Sequence, residues 1–195
     1  MEVLTEWGVN IYKFKIDENE KILDEIMKHR RDIDFNVNRE WNAKVSQILS
    51  NTKTNKEFNI LVFLKNKIEN YISRIPNCKG LTLCTPPHIK PDLWINMYKK
   101  GDYQGAHRHM YPNNIKYSLV YFAKYNPDTD AKLMFGNPNT TELILMSDEI
   151  KIIEKKFIPV NEGEVILFPS YLPHCVEKHE SDTERITVSG NLYSF

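Results

Sequence analysis

The chain has 195 residues, a length that suits one domain with a substantial core and is short for two domains joined by a linker. It carries 26 Lys and Arg residues against 26 Asp and Glu residues, so its formal net charge is zero. This balance excludes a general electrostatic attraction to nucleic acid or to anionic membranes as the basis of its function.

Three further features of the sequence predict a cytoplasmic protein without a membrane partner. The first residues, Met1 to Glu6, lack the basic segment and apolar core of a signal peptide. The longest apolar runs fall far short of the ~20 residues needed to span a bilayer. Cys78, Cys84 and Cys175 are odd in number and show no Cys-x-x-Cys spacing, which predicts free thiols.

The first half of the sequence predicts two amphipathic helices. Apolar residues recur at helical spacing among charged residues in 18–31 and again in 55–74. A polar, turn-rich segment separates the two helices, and a proline-rich stretch follows the second. We expect residues 1–93 to supply helical support and leading strands.

The second half predicts a succession of short strands. Runs rich in β-branched and aromatic residues are separated by Gly, Pro, Asn and Asp, and they cover residues 94–98, 117–123, 132–135, 157–160, 165–169, 174–177 and 185–192. Such strands, with helices packed on one outer face, predict a mainly β fold of the double-stranded β-helix type, a jelly-roll or cupin-like barrel. We expect residues 94–195 to form this core within a single domain covering 1–195.

A candidate metal site lies in the β-rich half. Residues i and i+2 of an extended segment point to the same face, so His107 and His109 can reach one metal ion. His174 follows a predicted buried strand and a proline-bracketed turn, where a new strand begins. Three imidazoles so placed would leave the opposite coordination positions open. By itself, a His-x-His pair is also compatible with solvated or hydrogen-bonded side chains.

The surroundings of these histidines resemble the metal-binding segments of 2-oxoglutarate and iron(II)-dependent oxygenases of the prolyl 4-hydroxylase type. That family carries a tyrosine nine residues and a glycine six residues before its first ligand, the places that Tyr98 and Gly101 hold relative to His107. Its distal segment, a Gly-x-x-x-x-Phe-Pro strand followed by a histidine and then a basic residue, is similar to residues 163–185.

A narrower likeness is to a group of oxygenases common in bacteriophage and marine bacterial genomes. The matching residues are Trp94, His107-Arg108-His109, Phe168-Pro169-Ser170, His174, Glu184-Arg185-Ile186 and Asn191. This likeness implies a bacterial cytoplasm, or that of a phage-infected host, as the location.

The resemblance implies a hydroxylase that couples oxidative decarboxylation of 2-oxoglutarate to substrate oxidation. Its cofactors would be Fe(II), 2-oxoglutarate and O2, with ascorbate as an optional reductant. The metal ligands would be His107, His109 and His174. Arg185 would bind the far carboxylate of 2-oxoglutarate, since a planar guanidinium can form two parallel hydrogen bonds with it. Tyr98 would donate its phenolic hydrogen to the same carboxylate.

One ligand departs from the family pattern, because His109 stands where the family has a carboxylate. Three neutral imidazoles leave the charge of the dication to be balanced by the cosubstrate. Three-histidine sites also occur with iron in thiol dioxygenases and with zinc in hydrolytic enzymes. Two alternatives therefore stay open: a cupin-like metalloenzyme that does not use 2-oxoglutarate, and a non-catalytic jelly-roll binding or virion-associated protein.

The substrate pocket is expected between the strands that flank the ligand strand. Candidates for its lining are Asn96, Tyr117, Tyr121 and Asn191. Trp94 and Phe168 are expected in the core. Similarity to prolyl hydroxylases points to a peptidyl side chain as substrate, with small molecules as the alternative. The sequence indicates neither a nucleic-acid partner nor an oligomeric state.

Overall fold

The computed structural model describes residues 1–31, 35–37, 44–46, 55–84, 92–109, 114–139, 142–144, 149–151 and 154–194. Its helices are α1 (Asn19–His29) and α2 (Asn55–Ile72), followed by a 3₁₀ turn at Pro76–Cys78. Both lie where the amphipathic patterns predict helices. Within the part of the chain so described, neither helix combines the length and the apolar character that crossing a bilayer requires.

The rest of the regular structure is β-strand. The strands are β1 (Glu2–Glu6), β2 (Val9–Lys15), β3 (Phe35–Val37), β4 (Lys44–Ser46), β5 (Leu93–Tyr98), β6 (Gln104–His107), β7 (Ile115–Lys124), β8 (Leu133–Gly136), β9 (Glu142–Ile144), β10 (Glu149–Lys151), β11 (Lys155–Phe157), β12 (Glu164–Pro169), β13 (His174–Val176) and β14 (Arg185–Tyr193). The seven predicted strands are found, although the one predicted at 157–160 is displaced toward the N-terminus as β11.

Two antiparallel sheets form the body of the fold. The larger sheet has eight strands in the order β1-β2-β12-β7-β14-β5-β4-β3, and the smaller has four in the order β11-β8-β13-β6. A buried cluster joins the two, with Val120 and Phe122 from the larger sheet and Leu133 and Phe135 from the smaller. This arrangement confirms the predicted double-stranded β-helix of the jelly-roll type.

The helices pack on the outer face of the larger sheet. Alternate residues of β7 belong to a second buried cluster there, which includes Leu119 and Tyr121 together with Ile26 of α1 and Leu61 of α2. The alternation follows from the pleat, since neighbouring residues of a strand point to opposite faces. Each central strand of this sheet therefore contributes one face to the helices and the other to the space between the sheets.

An N-terminal hairpin extends the larger sheet. Strands β1 and β2 turn at Trp7 and Gly8, which both have positive φ, and β2 then pairs with β12 so that Phe14 lies opposite Val165. The sequence predicts leading strands in residues 1–93 without giving their positions. The hairpin thus pairs with one side of β12, the strand that leads toward His174.

Strand β14 packs tightly against β5 at Gly190, which pairs with Leu93. A Cβ atom at this position would lie 2.4 Å from Leu93 Cδ2 and 2.7 Å from the backbone oxygen of Asp92. Because the backbone atom cannot rotate away, an alanine here must push the two strands apart. We expect Gly190→Ala to lower the free energy of unfolding by roughly 1–3 kcal/mol, measured by urea denaturation.

A second glycine gives the control for this prediction. Gly101 has φ +93° but no atom would lie within 4 Å of an added Cβ, so Gly101→Ala reports backbone strain without a steric clash. A loss at Gly190 no larger than the loss at Gly101 would contradict the steric explanation.

Candidate metal centre

Three imidazoles converge where the smaller sheet ends. Strands β6 and β13 pair so that His107 lies opposite His174. His109 lies two residues beyond the end of β6, and its backbone N–H donates to the oxygen of Ser170 at 2.8 Å. The ring centroids of His107 and His174 are 4.2 Å apart, and each lies 5.3 Å from that of His109. One ligand atom from each residue lies within 4.8 Å of the others, a cluster able to hold one metal ion.

Hydrogen bonds fix the orientation of two of these rings. The Nδ1 atom of His107 lies 2.8 Å from the oxygen of Gly105, and that of His174 lies 2.9 Å from the oxygen of Leu172. A carbonyl oxygen can only accept, so Nδ1 carries the hydrogen in both residues and Nε2 keeps a lone pair for a metal.

The three imidazoles are held in the neutral form that binds metals. Burial lowers the pKa of His107, and burial together with the neighbouring imidazoles lowers the pKa of His174 well below its usual value. Burial and the charge of His107 lower the pKa of His109 to about 3. At neutral pH the cluster therefore presents lone pairs rather than positive charges.

These shifts predict a pH dependence of the metal-free protein. Below pH ~6.5 the unfolded chain takes up protons on these histidines and the folded protein does not. The free energy of unfolding should therefore fall as the pH decreases below about 6.5 and should not change on this account above about 6.5. For His109 alone, the fall is about 1.4 kcal/mol per pH unit down to its pKa of about 3, and His107 and His174 act in the same direction. Urea denaturation of the metal-free protein at a series of pH values measures the slope.

The variant His109→Asn tests this assignment. It removes one of the three groups and should reduce the slope by the share of one imidazole. A slope equal to that of the wild-type protein would contradict the prediction for His109.

A buried arginine lies in the same space between the sheets. Arg185 begins β14 opposite Tyr98 of β5 and is only 1% exposed. None of its three side-chain nitrogens has a hydrogen-bond partner in the described structure. The guanidinium lies 4.5 Å from the centre of the Tyr98 ring and 5.4 Å from that of Phe122. Because an unpaired buried cation is costly, this arrangement suits an anionic ligand.

Tyr98 offers a second donor beside this guanidinium. Burial raises the pKa of the Tyr98 phenol, although the charge of Arg185 acts in the opposite direction. The hydroxyl therefore stays protonated, and it donates to Oε1 of Gln104 at 3.2 Å.

The histidine cluster and Arg185 line one pocket that opens to solvent. Its walls come from both sheets, and they include the hydroxyl groups of Ser118, Thr187 and Ser189. A dicarboxylic acid could thus bind a metal at one end of the pocket and the guanidinium at the other. Such a ligand fits this site for two reasons. The three imidazoles can bind the metal, and the Arg185 guanidinium, which has no hydrogen-bond partner among the described residues, can bind the far carboxylate.

Two of the four predicted lining residues contact residues that line this pocket but are not part of its lining. Asn96 is buried on the pocket side of β5, where its amide nitrogen donates to Ser189 Oγ at 2.8 Å, while its amide oxygen has no partner. Asn191 is also buried, and its amide oxygen accepts from Ser118 Oγ at 2.9 Å.

The other two lie elsewhere, which corrects the prediction. Tyr121 donates to Asn19 Oδ1 in the helix-side cluster, and Tyr117 packs against Tyr12 with 6.3 Å between ring centroids. The pleat explains the difference, because Ser118 and Val120 of β7 line the pocket, whereas Tyr117 and Tyr121 pack with the helix-side cluster.

Some site residues are missed by the sequence analysis. Trp94 is predicted in the core, but it lines the pocket and stacks on His109 with 6.1 Å between ring centroids. Phe168 is buried as predicted, and its ring also packs edge-on against His174 at 4.8 Å. Thr187 and Ser189 could have been found from the two-residue period of a strand that begins with Arg185.

Residues 92–191 match the model of a family described as "Putative 2OG-Fe(II) oxygenase". No curated protein sequence matches the chain. A prolyl-4-hydroxylase from Pseudomonas putida is similar in structure, with a TM-score of 0.62, 13% identity, and coverage of 95% of this chain and 92% of that one.

Two further solved structures show the same fold. A prolyl hydroxylase from Trichoplax adhaerens, in complex with a hypoxia inducible factor peptide, has a TM-score of 0.64 at 14% identity, covering 94% of this chain and 83% of that one. HygX from Streptomyces hygroscopicus, with nickel, 2-oxoglutarate and hygromycin B bound, has a TM-score of 0.65 at 9% identity. The alignment covers 95% of this chain and 83% of HygX.

The family match covers 100 of the 195 residues. It includes the three histidines, Tyr98 and Arg185. The protein is thus an oxidoreductase that uses iron(II), 2-oxoglutarate and O2. The chain belongs to the 2OG-Fe(II) oxygenase family, whose members couple the decarboxylation of 2-oxoglutarate to the oxidation of a substrate.

Proposed function

We propose that this enzyme is a hydroxylase in which His107, His109 and His174 hold the iron, and Arg185 and Tyr98 hold the far carboxylate of 2-oxoglutarate. The observation that carries this assignment is the buried Arg185 guanidinium, which has no hydrogen-bond partner among the described residues and faces the same pocket as the histidine cluster. A zinc hydrolase also uses three imidazoles, but its metal chemistry does not require a buried guanidinium.

The residues of the chain would divide the work as follows. Nε2 of His107 and of His174 would bind the metal, because Nδ1 of each ring donates to a backbone carbonyl. Arg185 would form two parallel hydrogen bonds with the far carboxylate. The Tyr98 hydroxyl would turn from Gln104 to the same carboxylate. When bound, iron(II) and 2-oxoglutarate supply with O2 the oxidation that transfers one oxygen atom to the substrate and releases succinate and carbon dioxide.

Aromatic side chains would keep water away from this chemistry. Trp94 covers one face of His109, and Phe168 lies against the ring of His174. Their positions make the ligand side of the pocket apolar around the imidazoles, which favours metal–ligand contacts over hydration.

The first substrate class to test is a peptidyl side chain. The likeness to prolyl hydroxylases supports this choice, and one of them was solved with a peptide fragment. A small molecule is the alternative, since HygX was solved with hygromycin B. We place the reaction in the cytoplasm of a bacterial or phage-infected cell, a proposal supported by the buried thiols of Cys78 and Cys175, which are typical of reducing compartments.

The experiment that tests the proposed function needs no substrate. Metal-free protein is loaded with Fe(II) in the absence of oxygen, 2-oxoglutarate is added, and the visible spectrum is recorded. A charge-transfer band that depends on both additions supports the assignment. Stoichiometric iron binding without a band would favour a metalloenzyme that does not use 2-oxoglutarate. Failure to bind iron would overturn the proposed ligands.

A further inference from the structure

Three connections between strands, which we call the end turns, lie at one end of the fold. They join β5 to β6, β7 to β8 and β13 to β14, and they cover residues 99–103, 125–132 and 177–184. Arg185 begins β14 directly after the third end turn and lies opposite Tyr98, the last residue of β5. The end turns therefore close the part of the pocket that holds the guanidinium, whereas the histidine cluster lies at the opposite ends of β6 and β13.

His179 lies where the end turns meet. Its neighbours in the sequence are charged, yet its own exposed fraction is 0%. Its backbone N–H donates to the oxygen of Asp102 at 2.8 Å, and its backbone oxygen accepts from the N–H of Gly101 at 2.7 Å. Two backbone hydrogen bonds therefore join the third end turn to the first, and neither depends on the side chain of His179.

The imidazole of His179 joins the third end turn to the second. A backbone N–H can only donate, so Nδ1 accepts from the N–H of Ala131 at 3.3 Å. A carbonyl oxygen can only accept, so Nε2 donates to the oxygen of Thr183 at 2.7 Å. The hydroxyl of Thr183 donates in turn to the buried carboxylate of Asp130 at 3.2 Å. Each ring nitrogen thus has one fixed partner, and both partners are backbone groups.

The contact at Ala131 places this junction against the wall around Arg185. Ala131 is buried in the same cluster as Tyr98 and Tyr125, whose ring centres lie 4.5 Å and 5.8 Å from the guanidinium. The attraction between a cation and a carboxylate is stronger where water is excluded. The closure of this end of the pocket therefore affects how tightly Arg185 can hold an anion.

We propose that His179 is a positioning residue for the cosubstrate. Its imidazole holds the end turns together and so keeps water from the ion pair between Arg185 and the far carboxylate of 2-oxoglutarate. This inference rests on the proposed function, because it takes Arg185 to bind that carboxylate. Without the imidazole, the N–H of Ala131 and the oxygen of Thr183 lose their partners, and a buried polar group without a partner is costly. The turns then separate until water reaches these groups, which weakens cosubstrate binding and leaves the distant metal ligands unchanged.

The first test compares two replacements of the imidazole. His179→Phe keeps an aromatic ring but has neither the acceptor nor the donor, whereas His179→Gln keeps one of each in its amide. In iron(II)-loaded protein titrated without oxygen, the Kd for 2-oxoglutarate should rise about tenfold or more in His179→Phe. It should stay within about threefold of the wild-type value in His179→Gln. Iron(II) affinity should be the same in all three proteins.

An exposed ion pair between two of the same turns gives the matched control. Lys100 Nζ lies 3.0 Å from Asp182 Oδ1 and joins the first end turn to the third, but the two side chains are 58% and 88% exposed. Exposed ion pairs contribute little to stability. Asp182→Asn should therefore leave the affinity for 2-oxoglutarate unchanged.

The second test needs neither metal nor cosubstrate. Amide hydrogen exchange of the metal-free protein, followed by NMR, reports how often the hydrogen bond of the Ala131 N–H opens. Exchange at Ala131 should be at least about tenfold faster in His179→Phe than in the wild type, whereas the amides of β12 should exchange at unchanged rates. Equal acceleration at Ala131 and in β12 would show a general loss of stability and would overturn the positioning role.

The titrations separate this inference from the proposed function. A wild-type affinity for 2-oxoglutarate in folded His179→Phe would overturn the inference alone, and so would equal losses of iron and 2-oxoglutarate affinity. A loss in His179→Gln as large as that in His179→Phe would also overturn it, because the hydrogen bonds would then not be the cause. Should His179→Phe not fold, His179→Met, which fills irregular space and has no donor, takes its place with the same expected results. A wild-type protein that binds iron but no 2-oxoglutarate would overturn the proposed function, and this inference with it.

Discussion

His174→Ala should bind iron(II) at least about 100-fold more weakly than the wild-type protein and should lose detectable turnover. This loss of affinity is larger than the one expected when a residue that only hydrogen-bonds to a metal ligand is removed. His174 is the most buried of the three histidines and lies directly opposite His107 in the sheet. Without it, the two imidazoles on the β6 side have no counterpart on β13. Anaerobic iron titration and the charge-transfer band with 2-oxoglutarate measure the loss, and His107→Ala should behave in the same way.

A histidine on the far side of the larger sheet gives the control. His29 lies in α1, where its imidazole is 3.4 Å from Glu25. His29→Gln should keep both iron binding and the charge-transfer band. Thermal unfolding of each metal-free variant shows whether a loss of binding reflects a loss of folding. Iron binding by folded His174→Ala that equals that of the wild type would contradict the proposed ligand set.

Arg185→Met should weaken 2-oxoglutarate binding at least about 100-fold, as expected when a buried charge-assisted bidentate pair of roughly 3 kcal/mol or more is lost. Iron binding should change little, because Arg185 is not among the clustered ligands. The metal-free variant should also become more stable, by on the order of 1 kcal/mol, since a buried guanidinium without partners is replaced by an apolar side chain. Titration calorimetry and urea denaturation measure the two effects.

The matched control is a second arginine that already has a partner. Arg30 forms an ion pair of 2.8 Å with Glu184, and its side chain is 36% exposed. Arg30→Met should leave 2-oxoglutarate affinity unchanged and should not stabilise the protein. An unchanged 2-oxoglutarate affinity in Arg185→Met would rule out the cosubstrate role of Arg185.

Local signals in the sequence were sufficient for the strands and the ligand segments. The two-residue spacing of His107 and His109 needs only an extended backbone, and the buried run before His174 is recognisable as a strand. The jelly-roll class follows from the number and shortness of the strands. The role of Arg185 came instead from resemblance to a family, because its lack of partners becomes visible only in three dimensions.

Other features depend on contacts between distant parts of the chain. The sequence shows that alternate residues of β7 point to opposite faces of the sheet. It does not show which face meets the pocket, because that depends on where the helices pack. The prediction for Tyr117 and Tyr121 therefore chose the wrong face. Asp92 gave no signal as a single carboxylate before a strand. Its hydrogen bonds with Asn191 and Tyr193 exist only because β5 pairs with β14 in the folded sheet. Trp94 looked like a core residue because large apolar side chains in strands usually are.

The N-terminal hairpin has a consequence for how the protein can be divided. The family match begins at residue 92, yet β12, which leads to His174, has β2 as one of its two neighbours. A fragment restricted to the matched region would leave the N–H and C=O groups along that side of β12 without partners. A strand with such an unpaired edge is prone to form backbone hydrogen bonds with a second copy of the fragment, which leads to aggregation. The smallest unit that folds without self-association should therefore include the first fifteen residues, far from the histidines in sequence but adjacent to their strand.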